Sequence, residues 1–217
     1  MFVAEGVKIA EELLHSNFEI VRIYALAEWI ENHPAKKNAH EISEDELKKI
    51  SNLKTPNQVI AIVKKKIHKK PVDLQNAVSL VLDNIQDPGN FGTIIRTADW
   101  FGITNIIAGT DTVDVYNSKV IQSTTGSFIR TNIFYTDLKK ILQQAAMPVY
   151  GALLEGKNVF EVGKINEGLL VIGNESKGIS KNLLPFVQHA ITIPRKGKAE
   201  SLNAAVATGI ILSHLVT

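Results

Sequence analysis

Along the first seventy residues the apolar positions change period several times. Val7, Ala10, Leu13 and Leu14 recur at helical spacing and Asn17 closes the run, so the pattern predicts a helix over Val7–His15. Ile20–Ala25 reads as a strand, and Ser43 with Glu46 three residues on forms a capping box for a helix over Glu44–Ser51. Val59–Val63 is a short apolar strand running into Lys64-Lys65-Lys66-Ile67-His68-Lys69-Lys70, which Pro71 ends. A lysine run stopped by proline marks a boundary, and the domain junction is placed there. Beyond it the pattern becomes rhythmic. Strands are expected at Val78–Leu82, Asn105–Ala108, Ile129–Tyr135, Val149–Leu153, Leu169–Ile172 and Ile191–Ile193, with helices at Phe91–Phe101, Leu138–Ala146 and Leu202–Leu215. Strand–helix alternation at spacings of about 20 to 26 residues argues a mostly parallel α/β sheet. The expected architecture is a small α/β unit over residues 1–70 followed by an α/β domain over 71–217.

Composition narrows the classes. The chain has 217 residues, enough for one large domain or two small ones, with 45% hydrophobic and 21% charged residues, as in ordinary globular proteins. It has no cysteine, which excludes a thiol nucleophile, a disulfide scaffold and any Cys-ligated metal. Lys plus Arg is 24 against 22 Asp plus Glu, a net charge of +2, so global charge does not announce a nucleic-acid binder. The excess is local: residues 1–70 carry 12 cations against 10 anions and the remainder is balanced. The start, Met1-Phe2-Val3-Ala4-Glu5-Gly6, lacks a basic n-region and an apolar h-region. The apolar runs Ala77–Leu82 and Ile210–Leu212 are far short of the roughly 20 residues a bilayer requires. A cytoplasmic protein with no membrane contact is the expectation.

Parallel sheets bind ligands beyond the carboxyl ends of their strands, which directs attention to three loops. After Val78–Leu82 comes Asp83-Asn84-Ile85-Gln86-Asp87-Pro88-Gly89-Asn90, opening a helix that bears Arg96. Asn90 reads as the helix cap, with Arg96 on a solvated face, yet Ile94, Ile95 and Ala98 flank Arg96 with core-type positions, where an arginine needs an anion. After Leu169–Ile172 comes Gly173-Asn174-Glu175-Ser176-Lys177-Gly178, two glycines around an Asn-Glu pair; the plain reading is a left-handed turn with Glu175 in solvent. After Ile191–Ile193 comes Pro194-Arg195-Lys196-Gly197-Lys198, then a helix of small residues capped by Ser201, whose Ala204, Ala205, Ala207 and Gly209 allow close helix packing. None of the three is a nucleophile elbow, a Walker loop or a Gly-x-Gly-x-x-Gly dinucleotide turn, which argues against a nucleotide-dependent oxidoreductase on a doubly wound sheet.

Together and in this order the loops resemble the SpoU (TrmH-like) branch of the SPOUT methyltransferases. The likeness runs through Asn90 to Arg96-Thr97-Ala98, through Ile172-Gly173-Asn174-Glu175, and through Ile193-Pro194 with Gly197 and Ser201-Leu202-Asn203. Phe2-Val3-Ala4-Glu5-Gly6 and Thr55-Pro56-Asn57-Gln58-Val59 resemble the ribosomal-protein-L30e-like substrate-binding domain that often precedes this catalytic domain. Such domains usually carry about twenty further residues before the position of Phe2, so the likeness implies a trimmed N-terminal surface. It also implies a deep C-terminal trefoil knot, an exception to the un-knotted rule, S-adenosylmethionine as cofactor, and methyl transfer to a ribose 2′-hydroxyl of RNA. The RNA is expected to be 23S rRNA, with tRNA as the alternative and a non-catalytic RNA-binding or ribosome-assembly role on the same fold as the rival. A homodimer is implied and no metal.

The resemblance assigns Arg96 to deprotonation of the hydroxyl. A charged guanidinium has no acceptor lone pair, so two roles stand open: a base in a site that strips its proton, or a cation that grips a neighbouring phosphate and lowers the hydroxyl pKa. Asn90, Glu175, Ser201 and Asn203 are assigned to orienting Arg96, the ribose and the cofactor. The implied cofactor wall comprises Leu153, Gly173, Asn174, Ile193, Pro194, Ser201 and Leu202, largely through backbone groups. RNA contact is expected from Lys64, Lys65, Lys66, Lys69, Lys70, Arg195, Lys196 and Lys198, which can release counterions from phosphate; no interleaved aromatic platform accompanies them.

Overall fold

The computed structural model describes residues 1–33, 39–66 and 74–216. Two sheets organise it. The first is mixed, in the order β1-β4-β2-β3, built from β1 (Phe2–Glu5), β2 (Ile20–Ala25), β3 (Ala39–Glu41) and β4 (Val59–Val63). Three helices accompany it: α1 (Val7–Leu14), α2 (Ala27–Glu31) and α3 (Glu44–Ile50). The Ser43–Glu46 capping box forms as expected, each residue bonding the other's backbone N–H. Buried Glu5 is satisfied by Ser51 Oγ at 2.5 Å and by the backbone and side-chain N–H groups of Asn52, which ties β1 to the end of α3. β1, α2 and β3 were not expected from the apolar pattern; each is five residues or shorter.

The second sheet has six strands, all parallel, in the order β10-β8-β9-β5-β6-β7. They are β5 (Val78–Leu82), β6 (Asn105–Gly109), β7 (Asn132–Thr136), β8 (Val149–Asn158), β9 (Gly168–Ile172) and β10 (His189–Thr192), with helices α4 (Pro88–Trp100), α5 (Ser118–Thr124), α6 (Leu138–Gln143) and α7 (Ala204–Leu215). The mostly parallel α/β class expected from the sequence is what forms. Chain order runs outward from β5 to β7 and then resumes on the other side of β5, so β5 and β9 flank the switch point where such sheets bind ligands.

Several boundaries differ from expectation. α4 begins at Pro88, and its cap is Asp87, whose Oδ1 accepts from the Asn90 N–H; Asn90 is therefore inside the first turn and not the cap. α7 is capped by Asn203, whose Oδ1 accepts from Ala205 and Val206, and not by Ser201. β7 starts at Asn132 because Thr125 and Gly126 turn left-handed and Ser127–Ile129 winds into a 3₁₀ turn. β8 continues past Leu153. β10 pairs with Tyr150 and Gly151, then with Lys157 and Asn158, so residues 152–156 leave the ladder between the two pairings. The junction placed at Pro71 lies outside the described residues.

Alternate residues of the parallel strands face opposite layers. Leu80, Leu82, Ile106 and Leu170 pack with Phe91, Ile94, Ile95 and Ala98 of α4 and with Ile211, Leu212 and Leu215 of α7. Val81, Ile107, Leu169 and Val171 pack with Leu138 and Leu142 of α6 on the other face, as a sheet covered on both sides requires. The first core is continuous with Phe2, Ala4, Ile9 and Leu13 of the N-terminal unit. At the join Phe2 stacks against Tyr116 and meets Phe128 edge-on, and the Tyr116 hydroxyl bonds both the N–H and the C=O of Lys66.

Candidate active site

The carboxyl ends of β5, β9 and β10 present the three loops singled out in the sequence, and one chain of side-chain hydrogen bonds joins them. The backbone N–H groups of Ala205 and Val206 donate to Asn203 Oδ1; Asn203 Nδ2 donates to Asn90 Oδ1 at 2.7 Å; Asn90 Nδ2 donates to Glu175 Oε1 at 2.7 Å. The chain runs from the N-terminus of α7 to a carboxylate, and each amide is bonded through both its nitrogen and its oxygen, so its orientation is fixed by its neighbours. Glu175 is half-buried and accepts rather than standing in solvent.

A second set of bonds shapes the loop after β9. Asn174 Oδ1 accepts from Ser176 and Lys177, its backbone exchanges two bonds with Gly178, and its Nδ2 donates to Asn84 C=O at 2.9 Å. Buried Asp83, the first residue after β5, accepts from the Ser180 N–H at 2.6 Å. Gly173 is needed for proximity. A Cβ there would lie 2.3 Å from the Gly178 carbonyl carbon and the Ile179 nitrogen.

Arg96 lies on the exposed side of α4, on the same face as Thr93 and Trp100. Its Nη1 reaches Thr125 Oγ1 at 3.5 Å, and among the described residues no carboxylate lies within ion-pair distance. The core positions beside it point inward, so the arginine itself stays free for an anion from outside. Ser201 and Leu202 are exposed just before Asn203, and Ser201 does not join the hydrogen-bonded chain. Leu153 and Ile193 are half-buried and Pro194 is exposed; Thr192 Oγ1 donates to Leu154 C=O, which brings the two strand ends together.

The candidate RNA-contacting cations divide. Lys64 pairs with Glu19 at 2.6 Å and Lys65 with Asp114 at 2.7 Å; Lys66 bonds Asn17 and lies 4.0 Å over the Phe18 ring. Lys65 thus braces the join between the sheets, while Lys64 and Lys66 are tied back to the segment between α1 and β2. Arg195, Lys196 and Lys198 are exposed, with Arg195 donating to Ala199 C=O and no carboxylate partner among the described residues. Lys69 and Lys70 lie outside the described residues. Sequence reasoning missed Asp83 and Asn84 as the residues that lock the second loop to the first. Their position directly after β5 was the available signal, since loop starts at a switch point carry the site.

Two family models match the chain. The SpoU rRNA Methylase family model matches residues 77–213, and the MRM3-like substrate binding domain model matches residues 1–61. The chain is 35% identical over 179 residues to the 23S rRNA (guanosine(2553)-2'-O)-methyltransferase RlmP of Bacillus subtilis, covering 80% of this chain and 71% of that one. It is 31% identical over 174 residues to the 23S rRNA (uridine(2479)-2'-O)-methyltransferase of Streptomyces viridochromogenes, covering 74% and 60% respectively. Among solved structures, an AdoMet-bound rRNA methyltransferase from Sinorhizobium meliloti superposes with a TM-score of 0.87 at 30% identity, over 97% of this chain and 85% of that one. A TrmH-family protein from Porphyromonas gingivalis gives 0.86 at 33%, over 98% and 88%.

Proposed function

The chain belongs to the SpoU rRNA methylase family, and from that premise we propose that it transfers a methyl group from S-adenosylmethionine to a ribose 2′-hydroxyl of 23S rRNA. The observation that carries the reading is the Asn203–Asn90–Glu175 chain across the three loops. A binding module has no need to fix two amides and a carboxylate in one register. The residues fit the cofactor. Gly173 lets the 173–178 turn close tightly with backbone groups at its rim, and Leu153, Ile193 and Leu202 offer partly exposed apolar surface around the same loops. When bound, the sulfonium supplies an electrophilic methyl carbon.

The protein's task is then alignment of the 2′-oxygen and stabilisation of its developing charge. Asn90 is held by an acceptor on one side and a donor on the other, so the start of α4 is rigid where the ribose must approach. Arg96 projects two turns further along the same helix. Arg96 is exposed, with no carboxylate partner among the described residues, which favours the cation over the base: Arg96 grips the phosphate beside the target ribose and lowers the hydroxyl pKa. Arg195, Lys196 and Lys198 extend the cationic surface on the loop after β10.

We assign residues 1–70 to substrate binding and 71–217 to catalysis, in the cytoplasm. Trp100 is 84% exposed at the end of α4 and Val206 51% exposed on α7, and these two helices pack side by side, running in the same direction, with Asn203 at Asn90 and Gly209 at Thr97. We place the contact surface of a homodimer on these two helices, around the exposed Trp100 and Val206. The loop before β9 grips the end of α7, through Ile165 N–H on Leu215 C=O and Lys164 on His214 C=O, and is where the family's knot would close.

The test is methyl transfer with labelled S-adenosylmethionine into unmodified rRNA and tRNA in separate tubes, followed by nucleoside analysis. 2′-O-methyl label in rRNA, abolished in Arg96→Ala with cofactor binding intact, is the expected result. Label in tRNA alone would overturn the substrate, and no label with cofactor bound would favour a non-catalytic role.

A further inference from the structure

Asp99 lies three residues after Arg96 on α4, the spacing at which opposite charges on a helix pair. The two do not pair. Asp99 is instead engaged by Arg130, whose Nε lies 3.1 and 3.0 Å from its two oxygens and whose Nη2 lies 2.8 Å from Oδ2. Arg130 Nη1 also reaches Glu12 of α1 at 2.5 Å, so the grip on Asp99 is anchored in the N-terminal unit. The segment carrying Arg130 begins with Thr125 and Gly126, both left-handed, and this turn places Thr125 Oγ1 at Arg96 and Arg130 at Asp99. A single short segment thus contacts Arg96 with a neutral hydroxyl and Asp99 with a cation.

We propose that Arg130 is a positioning residue that keeps Arg96 available to RNA by holding the carboxylate that would otherwise capture it. The proposal rests on the reading of Arg96 as the group that meets the RNA phosphate. Glu12 makes the arrangement conditional on the N-terminal unit, because its second carboxylate keeps Arg130 extended over α4. Among the described residues Arg130 is a cation between two carboxylates, Asp99 a carboxylate with one cation, and Arg96 a cation with none, so the unpaired charge of the group is left on Arg96.

The test uses the full chain with Arg130→Met, Asp99→Asn and the double variant. The sequence has only four arginines, Arg22, Arg96, Arg130 and Arg195, so their side-chain Nε–H signals in ¹⁵N NMR are few and can be assigned by single substitutions. In Arg130→Met the Arg96 Nε–H signal is expected to shift and its exchange to slow as Asp99 pairs with it. Methyl transfer to the RNA labelled in the assay above is expected to fall about two- to fivefold at low salt through KM, the scale of one partly exposed ion pair. Asp99→Asn and the double variant, which have no carboxylate left at that position, are expected to keep the Arg96 signal and the KM of the parent. If Asp99→Asn falls as far as Arg130→Met, the clamp is merely structural and the proposal is overturned. An unshifted Arg96 signal in Arg130→Met overturns it as well. If the shift appears while KM stays unchanged, the fault lies with the role given to Arg96, and the proposal falls with it.

Discussion

Gly173→Ala tests whether the loop after β9 binds the cofactor through its folded-back backbone. The added methyl carbon would lie 2.3 Å from Gly178 C and Ile179 N and 2.5 Å from Gly178 O. Ordinary contact begins near 3.4 Å, so the facing backbone must retreat by 3.4 − 2.3, about 1.1 Å. The obstacle is main chain, which no rotamer change can move aside. That retreat breaks the paired bonds between Asn174 and Gly178, at 3.1 and 2.9 Å. Two backbone hydrogen bonds are worth about 2 kcal/mol net, and overpacking of this kind costs about 1–3 kcal/mol. The turn is half-exposed at its near side and exposed at its far side, so the strain is relieved by opening the loop rather than by unfolding the sheet. If the cofactor needs the closed loop, about 2–3 kcal/mol appears as a roughly 30- to 150-fold rise in its dissociation constant. Calorimetric titration of S-adenosylmethionine into the variant measures this, with circular dichroism confirming that the fold persists. A dissociation constant within about threefold of the parent's, on a folded protein, would refute the argument.

Asn90→Asp replaces the donor facing Glu175 at 2.7 Å by a second carboxyl. Turnover should drop about ten- to hundredfold at pH 8 and recover in part toward pH 6, because the new carboxyl can donate to Glu175 only when protonated; an equal loss at both pH values would contradict this. Replacing Arg195, Lys196 and Lys198 by Ala together should flatten the dependence of log affinity for RNA on log salt by about 2, at roughly 0.7 for each single-strand phosphate that the three cations neutralise, read by filter binding across a salt series. Tyr135→Phe removes a hydroxyl that accepts from Val115 N–H at 2.8 Å and donates to Val113 C=O at 2.7 Å. Burial raises this phenol's pKa well above its usual value, so it stays protonated and both bonds persist across the working pH range. Removing the hydroxyl should cost about 1–3 kcal/mol in urea denaturation, with cofactor affinity unchanged.

The long periodic stretches of the fold were readable because burial wrote them into the sequence. β9 and α6 carry continuous or helically spaced apolar residues, β5 is apolar but for Ser79, and their positions follow. The elements that were missed owe their existence to neighbours. β1 is a four-residue strand that pairs along its whole length with β4, and α5 is built from Ser, Lys, Gln and Thr as well as Val and Ile and is held by Gly92, where a Cβ would lie 2.4 Å from Ser123 Cβ. No local propensity reveals a helix whose partner happens to lack a side chain. The second half of β8 is similar: it is a strand because β10 rejoins it after a five-residue excursion, a pairing between segments more than thirty residues apart.

In the candidate site, the residue types were legible and their division of labour was not. Asn90, Glu175 and Asn203 stand in the sequence as three separated polar residues, and a local rule assigns each a local job: cap, solvated acid, loop. Cap preference is nearly equal among Asp, Asn and Ser, so nothing in Asp87-Pro88-Gly89-Asn90 or Ser201-Leu202-Asn203 says which residue caps. Proline at the first helical position, which leaves Asp87 as cap, was the one clue. Once Asp87 takes the cap of α4, the Asn90 amide is released for Glu175 and Asn203; once Asn203 caps α7 with its oxygen, its nitrogen is directed at Asn90. The lysine run shows the same logic in reverse. Its charge suggested RNA, whereas Lys64 and Lys66 meet Glu19 and Asn17 within the N-terminal unit and Lys65 meets Asp114 across the join of the two sheets, partners that no one-dimensional pattern could supply. Arg96 on α4 and the group after β10 have no carboxylate partner among the described residues, so a polyanion can bind them without first breaking an ion pair.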